Sequence, residues 1–242
     1  MNFDDIIGQA ETKAKLREMA HGNRIPHALM FCGPKGNGKL PLALAFAKML
    51  LCKDNSDEVM LREWAHPDLH FSFPVYKKKS TDHPVSDDFL PQWRELLARK
   101  LYFDVEDWLV AIKAENQQIV HYVNESDALQ QKLQLKASRG GCRVVIIWLP
   151  ERMMVQAANK LLKLIEEPPT ETYFLLVSED PEKVLGTIQS RTQRLNIPKL
   201  NEEEIAQALN SVHGLREEEA KVAARVAQGS YTAALKRLET ES

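Results

Sequence analysis

The sequence has few cysteines, no excess of basic charge and no long apolar run, and each shortage excludes a class of protein. Its three cysteines, Cys32, Cys52 and Cys142, are scattered without C-x-x-C spacing, so we expect neither a disulfide framework nor a structural zinc site. The formal net charge of −2 provides no field that would draw the chain onto nucleic acid or an anionic membrane. No apolar run approaches the ~20 residues of a membrane-spanning helix.

The amino terminus also lacks the basic segment of a secretory signal. Its first residues, MNFDDIIGQ, carry acids and no base, so no signal peptide is expected. Together with the unpaired cysteines, this favours the cytoplasm. The chain of 242 residues is 44% hydrophobic and 27% charged, which is typical of a globular protein with one large domain or two smaller ones.

Apolar segments alternating with helical patterns predict a parallel α/β sheet up to Pro198. The strands are predicted within 27–33, 66–75, 142–150, 172–179 and 192–198, the last at an edge. Helical spacing occupies 40–52, 89–100, 105–117, 125–138, 155–167 and 181–191, and the pair Gly140-Gly141 is expected to close the fourth of these helices.

The pattern changes after Pro198. Two segments begin with acidic residues and end at Gly214 and Gly229, as helix dipoles and C-caps favour, and a third helix begins at Ser230. We therefore expect an α/β domain over 1–198 and a small all-helical domain over 199–242. The second unit is too small to build much core alone, so it is expected to pack on the first, or the protein continues past Ser242.

A phosphate-loop pattern, G-x-x-x-x-G-K-[ST], begins at Gly33 between a predicted strand and a buried helix. Gly33, Gly36, Gly38 and Lys39 are the candidate nucleotide-binding residues. The position that should carry the Mg²⁺-binding hydroxyl holds Leu40 instead. The loop therefore either cradles an anion without its metal or is kept as a turn between strand and helix.

The second half of the metal site is missing as well. A working site places acids directly after the neighbouring apolar strand, but here Trp148, Leu149 and Pro150 follow Ile147, and the first acid is Glu151. Without Mg²⁺, the negative charge that develops on the phosphate oxygens in the transition state loses several kcal/mol of stabilisation. We expect no bound metal and negligible intrinsic ATP hydrolysis.

The segment TIQSRTQRLNIP places Arg191, preceded by Ser190, between a short helix and an edge strand. In oligomeric nucleotidases an arginine there can reach the γ-phosphate of a neighbouring subunit, as an arginine finger in trans. Its fixed charge and planar fork suit this task. On chemistry alone, the alternative is an ordinary surface or salt-bridged arginine.

Four segments in this order resemble bacterial clamp-loader subunits, and most of all the delta prime family of DNA polymerase III subunits. They are FDDIIGQ at 3–9, the phosphate loop, NKLLKLIEEPPTETYFLLVSEDPEKVLGTIQSRTQRL at 159–195 and GSYTAALKRL at 229–238. The resemblance extends from Phe3 to the end and is weakest between Lys53 and Lys100. The most specific part of the resemblance is the segment LLKLIEEPP, followed by a strand and then by TIQSR.

The resemblance implies an AAA+ module, with a nucleotide-binding α/β domain and a three-helix lid. A helical collar domain that closes the ring follows in this family, and it is expected to be absent here. Delta prime subunits commonly do not hydrolyse ATP and offer the arginine of a Ser-Arg-Cys motif to an adjacent subunit. Ser190, Arg191 and Thr192 occupy that motif, so the resemblance favours the finger.

The chain departs from the family pattern elsewhere. Many members carry a four-cysteine zinc module, of which only Cys52 remains, and His66 and His70 complete no ligand set. Thr232 stands in place of the arginine that the lid of an active ATPase supplies, and Ser178 lies at the sensor position. We expect no zinc and no cofactor of the chain's own, since ATP belongs to neighbouring subunits.

The function expected is that of a non-hydrolysing clamp-loader subunit in DNA replication. Its implied partners are ATPase subunits of the gamma/tau type and the delta subunit, and through them the sliding clamp and primed DNA, with no membrane. The alternative is a free-standing P-loop ATPase or kinase, which Leu40 and Trp148 argue against. An autonomous DNA-binding module is disfavoured by the acidic balance and the lack of a basic helix.

Overall fold

A computed structural model describes residues 1–241, in which five strands form one parallel sheet. The strands are β1 (Ala28–Cys32), β2 (Leu69–Ser72), β3 (Arg143–Trp148), β4 (Thr172–Ser178) and β5 (Gln193–Asn196). Their order in the sheet is β2-β3-β4-β1-β5, and every neighbouring pair is parallel. The predicted α/β class and all five predicted strands are confirmed.

Eight helices accompany the sheet within the first 200 residues. They are α1 (Ala10–His21), α2 (Lys39–Leu51), α3 (Asn55–Arg62), α4 (Leu90–Arg99), α5 (Val105–Ala111), α6 (Val123–Gln134), α7 (Val155–Glu166) and α8 (Gly186–Gln189). Helices α1 and α3 are absent from the sequence-based prediction. None of the helices within residues 1–241 is long and apolar enough to cross a membrane.

Both faces of the sheet are covered, which explains why its central strands are apolar without alternation. On one face, Leu29 and Phe31 of β1 join a core that includes α2 and an aromatic cluster around Trp93. On the other face, Met30 and Cys32 pack with residues of α6 and α7. The sheet is therefore a rigid platform whose strand ends carry the loops that matter for function.

Three further helices, α9 (Glu202–His213), α10 (Glu217–Ala227) and α11 (Tyr231–Glu241), follow the sheet. They share a core of their own that includes Ile205, Leu209 and Ala224. Helix α9 begins with a capping box, in which Asn201 accepts from the backbone N–H of Glu204, and it ends at a left-handed glycine. Tyr231 stacks edge-on against Tyr102 at 4.9 Å, which joins this core to the rest of the chain.

Helix α6 ends earlier than predicted. It stops at Gln134 rather than at the glycine pair, because the residues that follow bind elsewhere. Buried Asp68 accepts hydrogen bonds from the backbone N–H groups of Ser138 and Arg139, at 2.6 and 3.0 Å. These bonds draw the chain out of helical geometry into a loop over 135–142.

Candidate functional site

The phosphate loop connects β1 to α2, as the sequence predicts. Gly36 and Gly38 have positive φ angles of 77° and 98°, and Gly38 is the residue that caps α2. Left-handed backbone of this kind favours glycine. The glycines therefore serve the shape of the turn, whatever the loop binds.

Other parts of the chain cover the loop closely. The carbonyl of Gly36 accepts from the backbone N–H of Tyr231 at 2.8 Å. A Cβ atom on Gly36 would lie 1.9 Å from Ser230 Oγ, and one on Gly33 would lie 2.1 Å from the carbonyl oxygen of Ile197. The loop is thus packed between the end of β5 and the start of α11.

Two buried amide side chains fasten the loop in this position. Asn37 donates through Nδ2 to the carbonyls of Ile197 and Pro198, at 2.8 and 3.1 Å. Gln9 donates through Nε2 to the carbonyls of Asn37 and Pro198, at 3.1 and 2.9 Å. The sequence analysis did not identify either residue, although Gln9 closes the FDDIIGQ motif.

Lys39 is buried, with 5% of its surface exposed. Its Nζ donates to the carbonyl of Pro34 at 2.5 Å and to Asn37 Oδ1 at 3.2 Å. Burial lowers the pKa of Lys39 to about 8, against the opposing effect of the Glu179 and Glu151 carboxylates. The ammonium group therefore binds the loop itself, where a working phosphate loop would direct it to a ligand.

The space in front of the loop is small. Leu40 is buried at the metal-ligand position, and Trp148 lies among aromatic rings, 5.4 Å from both Trp93 and Phe103. The remaining cavity has a volume of about 40 Å³, room for no more than about three water molecules. Ligand pockets typically measure about 300–1,000 Å³. In this conformation the cleft does not fit a nucleoside triphosphate or its metal.

The displaced acid Glu151 has a structural task. Ser178 Oγ donates to Glu151 Oε1 at 2.8 Å, and the backbone N–H groups of Glu179 and Asp180 donate to Oε2 at 2.9 and 3.1 Å. Ser178 Oγ also accepts from the N–H of Asp180 at 3.2 Å. Both side chains therefore hold the turn after β4 and have little bonding capacity left for a ligand.

Arg191 lies at the surface, at the opposite end of the sheet from the phosphate loop. Its Nη2 is 3.1 Å from Glu166 Oε1, and 48% of its side chain is exposed. The extended chain from Arg191 to Asn196 spans about 16 Å, and Asn196 pairs with Cys32, just before the loop. The structure therefore does not bring Arg191 and the loop of the same chain together.

The neighbouring Ser190 donates through Oγ to the carbonyl of Thr187 at 3.0 Å, within the last turn of α8. Arg191 Nη1 approaches the same hydroxyl at 3.4 Å. Ser190 thus fixes the end of the short helix from which Arg191 projects.

The candidate zinc residues do not converge. His66 Nε2 bonds with Asp57 Oδ1 at 2.8 Å, and Cys52 Sγ donates to Glu58 Oε2 at 3.5 Å. In residues 1–241, no group of three or more His, Cys, Asp or Glu side chains is placed to hold a metal ion.

Comparison with known proteins identifies similar chains. A family model described as "DNA polymerase III, delta subunit" matches residues 8–201. The tau subunit of DNA polymerase III from Bacillus subtilis is 26% identical over 210 residues, covering 87% of this chain and 31% of the relative. The delta′ subunit of the same organism is 29% identical over 195 residues, covering 77% and 46%. The chain thus spans less than half the length of these relatives.

Solved structures show the same architecture. A DNA polymerase III gamma subunit-related protein from Thermotoga maritima has a TM-score of 0.55 at 15% identity, covering 91% of this chain and 56% of that one. The RuvB Holliday junction branch migration motor of the same organism has a TM-score of 0.58 at 16% identity, covering 97% and 62%. These likenesses show the fold alone, which is that of AAA+ P-loop proteins, and they confirm the AAA+ fold implied by the sequence resemblance.

Proposed function

Because the chain belongs to the DNA polymerase III delta subunit family, we propose that it acts as a delta prime-type clamp-loader subunit. In this role it does not hydrolyse ATP, and it supplies Arg191 to the ATP site of a neighbouring subunit. Membership of the clamp-loader family was the expectation from the sequence, and the family match confirms it.

The closed phosphate loop is the observation that carries the proposal. Lys39 is bound within the loop, and the cavity beside it holds about 40 Å³. Hydrolysis requires a triphosphate, Mg²⁺ and a positioned water. The residues around the loop leave no room for that set and offer no metal ligand at Leu40.

The place of Arg191 supports action on another subunit. It projects from the end of β5 opposite to the one beside its own loop, and Glu166 holds it at the surface. An arginine in this position could exchange its carboxylate partner for the γ-phosphate of an adjoining subunit, since its fork binds either oxyanion.

The proposal extends to organisation and partners. We assign residues 1–198 to the AAA+ α/β domain and residues 199–242 to its helical lid. The partners are gamma/tau-type ATPase subunits and the delta subunit, which connect this chain to the sliding clamp and primed DNA. The proposed place is the cytoplasm, with the replication machinery.

The test is the Arg191→Ala variant in a reconstituted clamp loader. An arginine finger contributes about 10³–10⁵ to kcat, so ATP hydrolysis at the adjoining site should be almost abolished and clamp loading should fall. Arg191→Lys should restore little of it, because lysine lacks the planar fork. Arg194→Ala, at an exposed arginine of β5 paired with Glu182, is the matched control and should leave hydrolysis unchanged.

Normal hydrolysis and loading with Arg191→Ala would refute the finger assignment. A separate measurement addresses the alternative of a free-standing ATPase. The chain alone, incubated with ATP and magnesium, should release no phosphate above background. Clear turnover would favour the enzyme and would contradict the closed-loop argument independently of Arg191.

A further inference from the structure

A second, larger cavity lies at the amino ends of β3 and β4, at the end of the sheet opposite to the phosphate loop. Its volume is about 620 Å³, within the range of small-ligand pockets. Its walls are the loop that follows α6, the first residue of β3, and the turn 169–171 before β4. We call it the Arg143 cavity, after the buried cation on its wall.

Arg143 is 5% exposed and has unused hydrogen-bonding capacity. Its Nη1 donates to the carbonyls of Leu133 and Leu135, at the end of α6. Among residues 1–241 its Nε is buried without an acceptor, out of reach of the cavity, so Nη2 is the nitrogen left to donate to a ligand. Within residues 1–241 no carboxylate forms an ion pair with Arg143, and a buried guanidinium without an anion is costly.

The nearby acids form no ion pair with Arg143 in the described part of the chain. Asp68 is the negative group whose field reaches Arg143, but its two oxygens already accept from the N–H groups of Ser138 and Arg139. Glu171 is the acid on the cavity wall, and it is exposed. Its backbone carbonyl, not its carboxylate, accepts from the N–H of Arg143 at 2.8 Å.

The loop wall adds a second cation and accessible backbone. Lys136 is exposed at the rim of the cavity. Gly140 has φ +70°, and a Cβ built on it would meet no atom within 4 Å, so its backbone faces open space. The bonds to Asp68 and the ion pair of Arg139 Nε with Asp57 Oδ1, at 2.7 Å, hold this loop in place without a ligand.

We propose that the Arg143 cavity binds a phosphate monoester, with its oxyanion held by Arg143 and Lys136. A guanidinium N–H donates a charge-assisted hydrogen bond to a phosphate oxygen, and the volume leaves room for a nucleoside beyond the phosphate. The phosphate could belong to a free mononucleotide or to the end of a nucleic-acid strand. This inference does not depend on the proposed role in clamp loading.

Titration calorimetry with inorganic phosphate tests the site. Wild-type chain should bind phosphate, and Lys136→Ala should bind it about tenfold more weakly, the effect of losing one charge-assisted contact. Lys136 is exposed and bonds to no side chain or backbone group within residues 1–241, so the variant should remain folded. Lys78→Ala, at an exposed lysine of the loop after β2, is the matched control and should bind as wild type does.

Arg143→Lys, with its fold checked by circular dichroism, should also weaken binding, because lysine has no second nitrogen to donate to the phosphate while the first bonds the Leu133 and Leu135 carbonyls. Titrations with dTMP and with a 5′-phosphorylated oligothymidylate, against its 5′-hydroxyl counterpart, identify the source of the phosphate. A preference for the 5′-phosphorylated strand over dTMP assigns a strand end, and equal binding assigns a free mononucleotide. Absence of phosphate binding by the wild type, or equal losses in Lys136→Ala and Lys78→Ala, would overturn the site.

Discussion

Lys39 keeps its place in a phosphate-loop pattern, and in this structure its ammonium group donates within the loop. The sequence showed that the metal ligand was missing at Leu40. It could not show where the lysine would go, because that depends on Pro34, Asn37 and the strand end that Asn37 binds. Sequence reasoning therefore left two alternatives for the loop, an anion cradle or a turn, and the contacts favour the turn.

The buried ammonium group predicts a rise in stability with pH. The pKa of Lys39 is about 8 in the folded chain and near its ordinary 10.5 when unfolded. The folded chain does not have to bury a charged lysine above pH 10.5, where the side chain is neutral in both states. This advantage is lost as pH falls to 8, because the buried amine must then take up a proton. Between pH 8 and 10 the free energy of unfolding should rise by about 2 kcal/mol from this group. Burial also raises the pKa of the Cys32, Cys52 and Cys142 thiols, whose titration lowers stability in the same range. Urea unfolding of the wild type and of a Lys39 variant therefore measures the lysine's share as the difference between the two.

Relative to the wild type, Lys39→Met should lose about 2 kcal/mol of stability gain between pH 8 and 10, whereas Lys78→Met, at an exposed lysine, should follow the wild type. The window stops at pH 10 because Tyr231, whose pKa burial raises to about 12, acts in the opposite direction above it. An unchanged pH dependence in Lys39→Met would show that the lysine is not the titrating group.

At the scale of elements, strands were easier to predict than helices. Each strand is a short apolar run between breakers, and burial on both faces produces such runs directly. Helix α1 shows no start signal in the sequence, because its N-cap, Gln9, is left-handed and makes no side-chain cap bond. Its apolar pattern is weak as well, since its buried residues are Thr12 and Leu16. Helix α3 did carry a signal, since Asp54 accepts from the backbone N–H of Asp57 as an N-cap.

Helix α3 and the loop over 135–142 are joined by the Asp57 carboxylate, which is 1% exposed. It accepts from Arg139 Nε, His66 Nε2 and the backbone N–H of Lys53. Burial alone would raise the pKa of Asp57, but these hydrogen bonds and the Arg139 charge hold it below its usual value. No sequence motif predicts this junction, because the residues that bond to Asp57 lie far apart along the chain.

Asp57→Ala should lower the free energy of unfolding by about 2–3 kcal/mol, since it leaves buried donors without an acceptor. Urea unfolding measures the loss, and hydrogen exchange should show faster opening at Ser138 and Arg139. Asp180→Ala, which removes a surface pair with Lys183, is the control and should cost less than about 1 kcal/mol. Equal losses in the two variants would contradict the junction.

For the molecule as a whole, the contact of Gly36 with Ser230 and Tyr231 ties α11 to the end of β1. It combines a tight backbone approach with a hydrogen bond. The sequence supplied both partners, in the phosphate loop and in GSYTAALKRL, but gave no sign that they meet. This contact cannot be predicted from the sequence pattern, because the two segments lie almost 200 residues apart along the chain.

Gly36→Ala should destabilise the protein by about 1–3 kcal/mol, because the methyl group would overlap Ser230 and the backbone is left-handed. Thermal and urea unfolding measure it. Gly186→Ala is the matched control, since a Cβ there meets nothing within 4 Å, and its effect should stay within about 0.5 kcal/mol. A stable Gly36→Ala protein would mean that α11 moves away from the loop freely.

The place of β1 in the sheet has a consequence for synthesis on the ribosome. This wholly buried strand is made early, but its partners, β4 and β5, emerge only after residue 171. At cellular elongation rates the delay is on the order of ten seconds. Throughout that interval the nascent segment ALMFC lacks its final neighbours, so this stretch is where a chaperone would be needed during translation.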